Sequence, residues 1–147
     1  IKLEIPAGIS AGNYMTQQGE GNYPGDGGVP GDLIIQFTEK ENSLFVREGN
    51  DIFLDSWIHY PYAVFGTTIE VPTLSGKVKL KIPSGIKSGQ VLRLRGKGMK
   101  ELNRNHFGDQ LVRVNIETPK KISSKVKSLL NDLSKELGVS ANFEKFN

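Results

Sequence analysis

The sequence predicts a mainly β fold, with two tandem small β-sandwich domains followed by a C-terminal amphipathic helix. Three observations predict it: short runs of alternating apolar and polar residues, a long segment that recurs at a fixed offset, and one apolar stripe with helical spacing. The expected divisions are residues 1–42 for the later part of a first sandwich, 43–119 for a second sandwich, and 120–147 for a helix and tail.

An internal repeat is the most informative feature of the chain. Residues 1–37, the first repeat, align with residues 78–114, the second repeat, without a gap and with eleven identities, five of them glycine. Recurring glycines indicate that the same turns are built twice, because glycine adopts the positive φ that such turns need. Residues 47–77 precede the second repeat and are expected to belong to the same sandwich. Their counterpart in the first sandwich would precede residue 1, so we expect the first sandwich to be truncated at its start.

Five short segments of the second unit are predicted strands. Val78, Leu80 and Ile82 alternate with lysines, which is typical of a strand with one buried face. Leu92 and Leu94 are expected to point inward by the same alternation. The predicted strands are residues 52–58, 68–71, 78–82, 91–95 and 110–117.

Two segments have the pattern of a helix. Residues 61–65 can form one turn before Gly66. Residues 123–137 can form a longer helix, with Ser123 or Ser124 as its N-cap and Gly138 where a helix ends. The apolar residues of this segment fall on one stripe, which must be buried either against the chain's own sandwich or against a partner chain.

Composition excludes disulfide bonds, cysteine zinc sites and a membrane-spanning helix within this sequence. The 147 residues are 37% hydrophobic and 24% charged, include no cysteine, and hold no apolar run near the ~20 residues that span a bilayer. The net charge of +3 is unevenly spread, because residues 1–73 carry 3 basic and 10 acidic residues whereas residues 74–147 carry 16 and 6. The basic half raises the question of a nucleic-acid partner.

No pattern of catalytic or metal-ligating residues is found. His59 and His106 are too few for a metal site without convincing carboxylate partners. The Gly-Lys-Gly at 96–98 is not a phosphate loop, because no Gly-Lys-Ser/Thr and no helix follow it. We therefore expect a non-enzymatic protein without a metal or cofactor in this segment.

Several motifs together resemble the C-terminal domains of DnaJ-type (J-domain) co-chaperones. The most specific are Glu-Val-Pro-Thr-Leu-Ser-Gly at 70–76 and Arg-Leu-Arg-Gly-Lys-Gly at 93–98. The others are Ile-Pro-Ala-Gly-Ile at 5–9, Gly-Glu-Gly at 19–21, Gly-Asp-Leu at 31–33, Phe-Val-Arg-Glu-Gly at 45–49, Gly66, Gly-Asp-Gln at 108–110 and Glu-Thr-Pro at 117–119. They follow one another in the order and at the spacings of that family.

The resemblance implies a cytoplasmic co-chaperone, homodimeric, that binds unfolded client polypeptides and delivers them to a DnaK-type ATP-dependent chaperone. The J domain, with its His-Pro-Asp motif, and the Cys-x-x-Cys-x-Gly-x-Gly zinc module do not occur in this sequence. In zinc-containing members that module lies just before the position of Ile1. Zinc is therefore expected at most in an upstream module, and none is expected in this segment.

The resemblance also implies a pocket for apolar client side chains in the first sandwich. Ile1 and Ile35 match two of its positions. Leu3 shares the strand face of Ile1, and Leu33 and Phe37 share that of Ile35, so these three are further candidates. The competing interpretation is that all five belong to an ordinary core.

The tail is the predicted dimerisation region, again by resemblance. Its apolar residues are Val126, Leu129, Leu130, Leu133, Leu137, Phe143 and Phe146.

Two other classes of function stay open. One is a nucleic-acid binder, whose affinity would fall steeply with salt. Its basic residues would be Arg93, Arg95, Lys97, Lys100 and Arg104. The other is a structural dimerisation module, which would bind no unfolded client.

Overall fold

A computed structural model describes residues 2–145, and the fold is mainly β with a C-terminal helix, as predicted. The strands are β1 (Tyr14–Gln17), β2 (Leu33–Gln36), β3 (Val46–Glu48), β4 (Asp51–His59), β5 (Thr67–Thr73), β6 (Gly76–Ile82), β7 (Gln90–Leu94) and β8 (Gln110–Glu117). The helices are α1 (Tyr60–Phe65) and α2 (Ser124–Leu137). The chain divides into two compact units between Ile116 and Glu117, while the finer division at residue 42 stays a prediction.

Residues 43–116 form a sandwich, hereafter the second sandwich. Its larger sheet has the strand order β3-β4-β8-β7, and the hairpin of β5 and β6 faces it. Alternate residues of both layers meet in one core, whose members are Leu54, Ile58, Ala63, Val71, Leu80, Ile82, Ile86, Val112 and Val114. Burying one aliphatic side chain of this kind stabilises a fold by about 1.5–3 kcal/mol, so this core holds the two layers together.

The five strands predicted for this sandwich are all present, with ends that differ by no more than two residues. The inward orientation predicted for Leu92 and Leu94 is confirmed, because both are half-buried against the core. Strand β3 is an addition. It has only three residues, and Arg47 at its centre interrupts the apolar pattern.

The internal repeat is confirmed by strand register. Strands β1 and β2 pair antiparallel with Met15 opposite Ile35, and β7 and β8 pair with Leu92 opposite Val112. These positions are related by the same offset of 77 residues. The two repeats therefore share their hairpin register as well as their glycines.

The loop inside each hairpin is closed by the same aspartate hydrogen bond. The backbone N–H of Gly19 donates to Asp32 Oδ1 at 3.1 Å, and that of Gly96 donates to Asp109 Oδ1 at 2.9 Å. Both glycines have a positive φ, of 73° and 67°. The Gly96 N–H is therefore already hydrogen-bonded to a carboxylate and is not available to a phosphate. This agrees with the rejection of a phosphate loop at residues 96–98.

The start of the chain departs from its repeat partner. Residues 2–5 form no strand, although their counterparts in the second repeat, residues 79–82, lie in β6. The strand expected to carry Leu3 is therefore not formed. Strand β6 is held by pairing with β5, and no strand pairs with residues 2–5 in the described part of the chain. Ile5 is consequently 61% exposed, whereas its counterpart Ile82 is 1% exposed.

Both predicted helices are present. Helix α1 has a proline in its first turn and ends at Gly66, whose N–H donates to the carbonyl oxygen of Tyr62 at 2.9 Å. Helix α2 begins after Ser123, whose hydroxyl accepts a hydrogen bond from the Val126 N–H at 3.2 Å, and ends at Gly138. The N-cap is therefore Ser123 rather than Ser124.

Candidate functional site

The inner face of the β1–β2 hairpin carries three of the five predicted pocket residues. Leu33, Ile35 and Phe37 alternate along β2 and its continuation, and all three are half-buried. Between them, Ile34 points to the other face and is 69% exposed. The alternation inferred from the sequence is therefore observed, and β2 brings these three side chains to one face.

The remaining two predicted pocket residues stand apart from this strand. Leu3 is half-buried but belongs to the segment that forms no strand. Ile1 lies outside the described residues. The pocket assignment of all five residues stays a prediction.

In the second repeat, the face of β8 that corresponds to the apolar face of β2 is fully buried. Val112, the counterpart of Ile35, and Val114, the counterpart of Phe37, are both 0% exposed. They lie in the core with Val71 of β5, but the described part of the first repeat has no counterpart of β5. Within the described residues, the apolar face of β2 is therefore seen without the strand that covers the matching face of β8.

Met15 is a site residue that the sequence analysis missed. It pairs directly with Ile35 in the hairpin register and is half-buried on the same face. Its repeat partner Leu92 was already predicted to point inward, so the offset of 77 residues contained the signal. Methionine suits such a position because its flexible thioether adapts to side chains of different shapes.

An open groove of about 580 Å³ on the outer face of the second sandwich was also not predicted. Its apolar lining consists of Leu44, Val46, Phe53, Leu54, Val91 and Leu111. Alternation predicts polar side chains on the outer face of a sheet, so apolar residues there escape a pattern search.

A polar cluster stands beside this groove. The Arg113 guanidinium donates to both carboxylate oxygens of Asp55, at 2.6 and 2.8 Å, and Asn115 donates to Asp55 Oδ1 at 3.1 Å. Hydrogen bonds from Arg113 and then Asn115 lower the pKa of Asp55, and the hydrogen bond to Asp55 raises the pKa of Arg113. Because the pair is exposed, it contributes little to stability.

The predicted dimerisation residues lie on the surface of α2 and the segment after it. Val126, Leu129, Leu130, Leu133, Leu137 and Phe143 are all exposed. Phe146 lies outside the described residues. The stripe predicted from helical spacing is therefore present, and an apolar stripe of this kind favours a partner surface.

Two further searches concern metals and membranes. Residues 2–145 hold no group of three or more His, Cys, Asp or Glu side chains that could hold a metal ion. No helix within the same residues has the length and apolar character needed to cross a bilayer.

Comparison with known proteins assigns the family. The family model described as DnaJ C terminal domain matches residues 1–119. The chain belongs to the DnaJ C-terminal domain family. The match spans both repeats and the whole second sandwich.

Relatives of this DnaJ C-terminal domain carry the name "Chaperone protein DnaJ". The relative from Chlorobaculum tepidum is 46% identical over 97% of the chain, and that from Brevibacillus choshinensis is 46% identical over 94%. The relative from Clostridioides difficile is 42% identical over 99% of the chain. The chain spans 35%, 37% and 38% of the lengths of these three relatives.

Proposed function

We propose that this chain is the client-binding part of a DnaJ-type co-chaperone, which holds unfolded apolar segments, limits their aggregation and delivers them to a DnaK-type chaperone in the cytoplasm. The observation that carries the proposal is the family match over residues 1–119, together with relatives named as chaperones. The absence of an enzymatic role is part of the same proposal. It is supported by the family match and by relatives named as chaperones.

The proposed client site is the inner face of β2. Ile35, with Leu33 and Phe37, supplies a half-buried apolar surface, and Met15 borders it on β1. Ile1 and Leu3 are proposed to complete it. A client would place one apolar side chain against this face, while its backbone hydrogen-bonds beside a sheet edge without regard to sequence.

Ion pairing weakens the case for a nucleic-acid partner. Arg93 Nη1 lies 3.5 Å from Asp109 Oδ2, and Arg104 Nη1 lies 3.0 Å from Glu101 Oε1. Two members of the basic cluster therefore have carboxylate neighbours that compete with phosphates. A peptide bound through apolar contacts remains the better supported ligand.

Salt dependence separates the two kinds of ligand. We expect a fluorescent, apolar, unfolded peptide to bind the full-length protein with an affinity that changes little between 50 and 500 mM NaCl, since apolar burial is not screened. A nucleic-acid ligand would lose about 10³-fold or more over a similar range. Fluorescence anisotropy with the peptide and with a single-stranded oligonucleotide measures both. Tight, salt-sensitive oligonucleotide binding without peptide binding would contradict the proposal.

We also propose that α2 joins two copies of the protein, because its apolar stripe is exposed. Replacing Leu129 and Leu133 together by Gln should lower the dimer fraction in sedimentation, since two apolar contacts would be lost at the proposed interface. The matched control replaces Ser128 and Asn131 by Gln, which changes the opposite side of the same helix. An unchanged dimer fraction in the leucine variant would contradict this role of α2.

A further inference from the structure

Arg47 of β3 reaches from the second sandwich back to the first repeat. Its Nη1 donates to the carbonyl oxygen of Ile9 at 2.9 Å, and its Nη2 donates to the carbonyl oxygen of Gly8 at 3.2 Å. The two acceptors are neighbours in one turn, so the planar guanidinium holds that turn with two separate donors. A guanidinium presents its donors in such a fixed fork, which a lysine ammonium does not.

The same side chain makes two further contacts. Arg47 Nη1 lies 2.6 Å from Glu39 Oε1, and its Nε donates to the carbonyl oxygen of Gly49 at 2.8 Å. Glu39 Oε1 also accepts from the backbone N–H of Ala11 at 3.3 Å. The Arg47 side chain is only 15% exposed, so these charge-assisted hydrogen bonds are partly shielded from water.

A glycine contact supports the same junction. A Cβ atom on Gly8 would lie 2.9 Å from the backbone N of Leu102 and closer still to the carbonyl oxygen of Lys100. Gly85, the counterpart of Gly8 at the offset of 77 residues, would meet nothing within 4 Å. Both glycines have a positive φ, of 93° and 73°, but only Gly8 also lies against backbone atoms of the other repeat.

We infer that Arg47 and Gly8 form an inter-repeat lock that holds the first repeat and the second sandwich in one fixed orientation. Both belong to the compact unit that ends at Ile116, as such a lock requires. Tandem domains joined by a short connection move relative to one another unless a specific interface holds them. The lock makes the two repeats one rigid body, whether or not β2 binds clients.

Distance measurements between spin labels test the lock. The chain has no cysteine, so labels on Thr16→Cys in β1 and Lys79→Cys in β6 report only the distance between the two parts. We expect a single narrow distance distribution in the otherwise unchanged chain. Arg47→Ala, Arg47→Lys and Gly8→Ala should each broaden it, because each removes either the fork or the close backbone contact.

Gly85→Ala is the matched control, since it places a side chain at a similar positive φ without touching the first repeat. Its distribution should stay narrow. A narrow distribution in both Arg47→Ala and Gly8→Ala, or a broad one in the unchanged chain, would overturn the inference. Amide exchange at the β1–β2 hydrogen bonds provides a further check. Loss of protection there in Arg47→Lys would make Arg47 a folding element of the first repeat and would also overturn the lock.

Discussion

Ile35→Asp in the full-length protein should abolish suppression of aggregation of a denatured client while leaving the far-ultraviolet circular dichroism spectrum unchanged. The substitution places a carboxylate where an apolar client side chain is proposed to dock, and that charge would lose its hydration on binding. Losing one aliphatic contact alone is worth about 1.5–3 kcal/mol, or about ten- to hundredfold in affinity. Light scattering of the client, with and without the variant, measures the effect.

Val112→Asp is the control that the repeat provides. Val112 has the same register position as Ile35 but is 0% exposed, so a carboxylate there would be buried without a partner. This variant should lose stability rather than client binding alone. If Ile35→Asp unfolded the protein as Val112→Asp does, Ile35 would be a core residue. If it folded and still protected clients fully, the client site would lie elsewhere.

Gly108→Ala should lower the free energy of unfolding by about 3 kcal/mol, because a side chain does not fit there. Its Cβ would overlap the carbonyl oxygen of Asn50 and lie 2.8 Å from Asp51 Oδ1. Asp51 Oδ1 also accepts the Asp109 N–H at 2.7 Å, so the clash falls on a hydrogen bond between the first residue of β4 and the residue that precedes β8. Urea unfolding, followed by fluorescence of the single Trp57, measures the change.

The equivalent substitution in the first repeat should be mild. Gly31 corresponds to Gly108 at the offset of 77 residues, yet its nearest neighbour to an added Cβ is the Asn22 carbonyl oxygen at 3.7 Å. Neither glycine has a φ in the left-handed region, so backbone strain does not separate the two substitutions. Gly31→Ala should cost about 0.5 kcal/mol or less. Equal losses in both variants would show that crowding at Asn50 is not the cause.

Local patterns predicted much of the fold because they carry both the buried face and the ends of each element. The stripe and caps of α2 located the helix to within one residue, and the repeat implied two hairpins of one register. Gln110 shows where such reasoning stops. It begins β8 as a polar residue, yet it is fully buried, with its Nε2 donating to the carbonyl oxygen of Pro72 at 2.8 Å.

The candidate site was predicted less completely than the fold. Alternation placed Leu33, Ile35 and Phe37 on one face, but the cover over a face depends on which strands lie across from it. That depends on tertiary contacts, and so does the role of Arg47. Its neighbours Gly8 and Ile9 lie 38 or more positions away in the chain, and no local pattern links them.

The closure of the hairpin loops has a consequence for protein engineering. Asn22 and Gly31 are joined by a backbone hydrogen bond of 3.0 Å, and Met99 and Gly108 by one of 2.9 Å, while the segments 22–30 and 99–107 share no identical residue. The two loops thus have the same number of residues between the closing hydrogen bonds, although no aligned residue is identical. Residues 23–30 are accordingly a position where a foreign peptide of equal length can be displayed, whereas an insertion would separate the groups that close the loop.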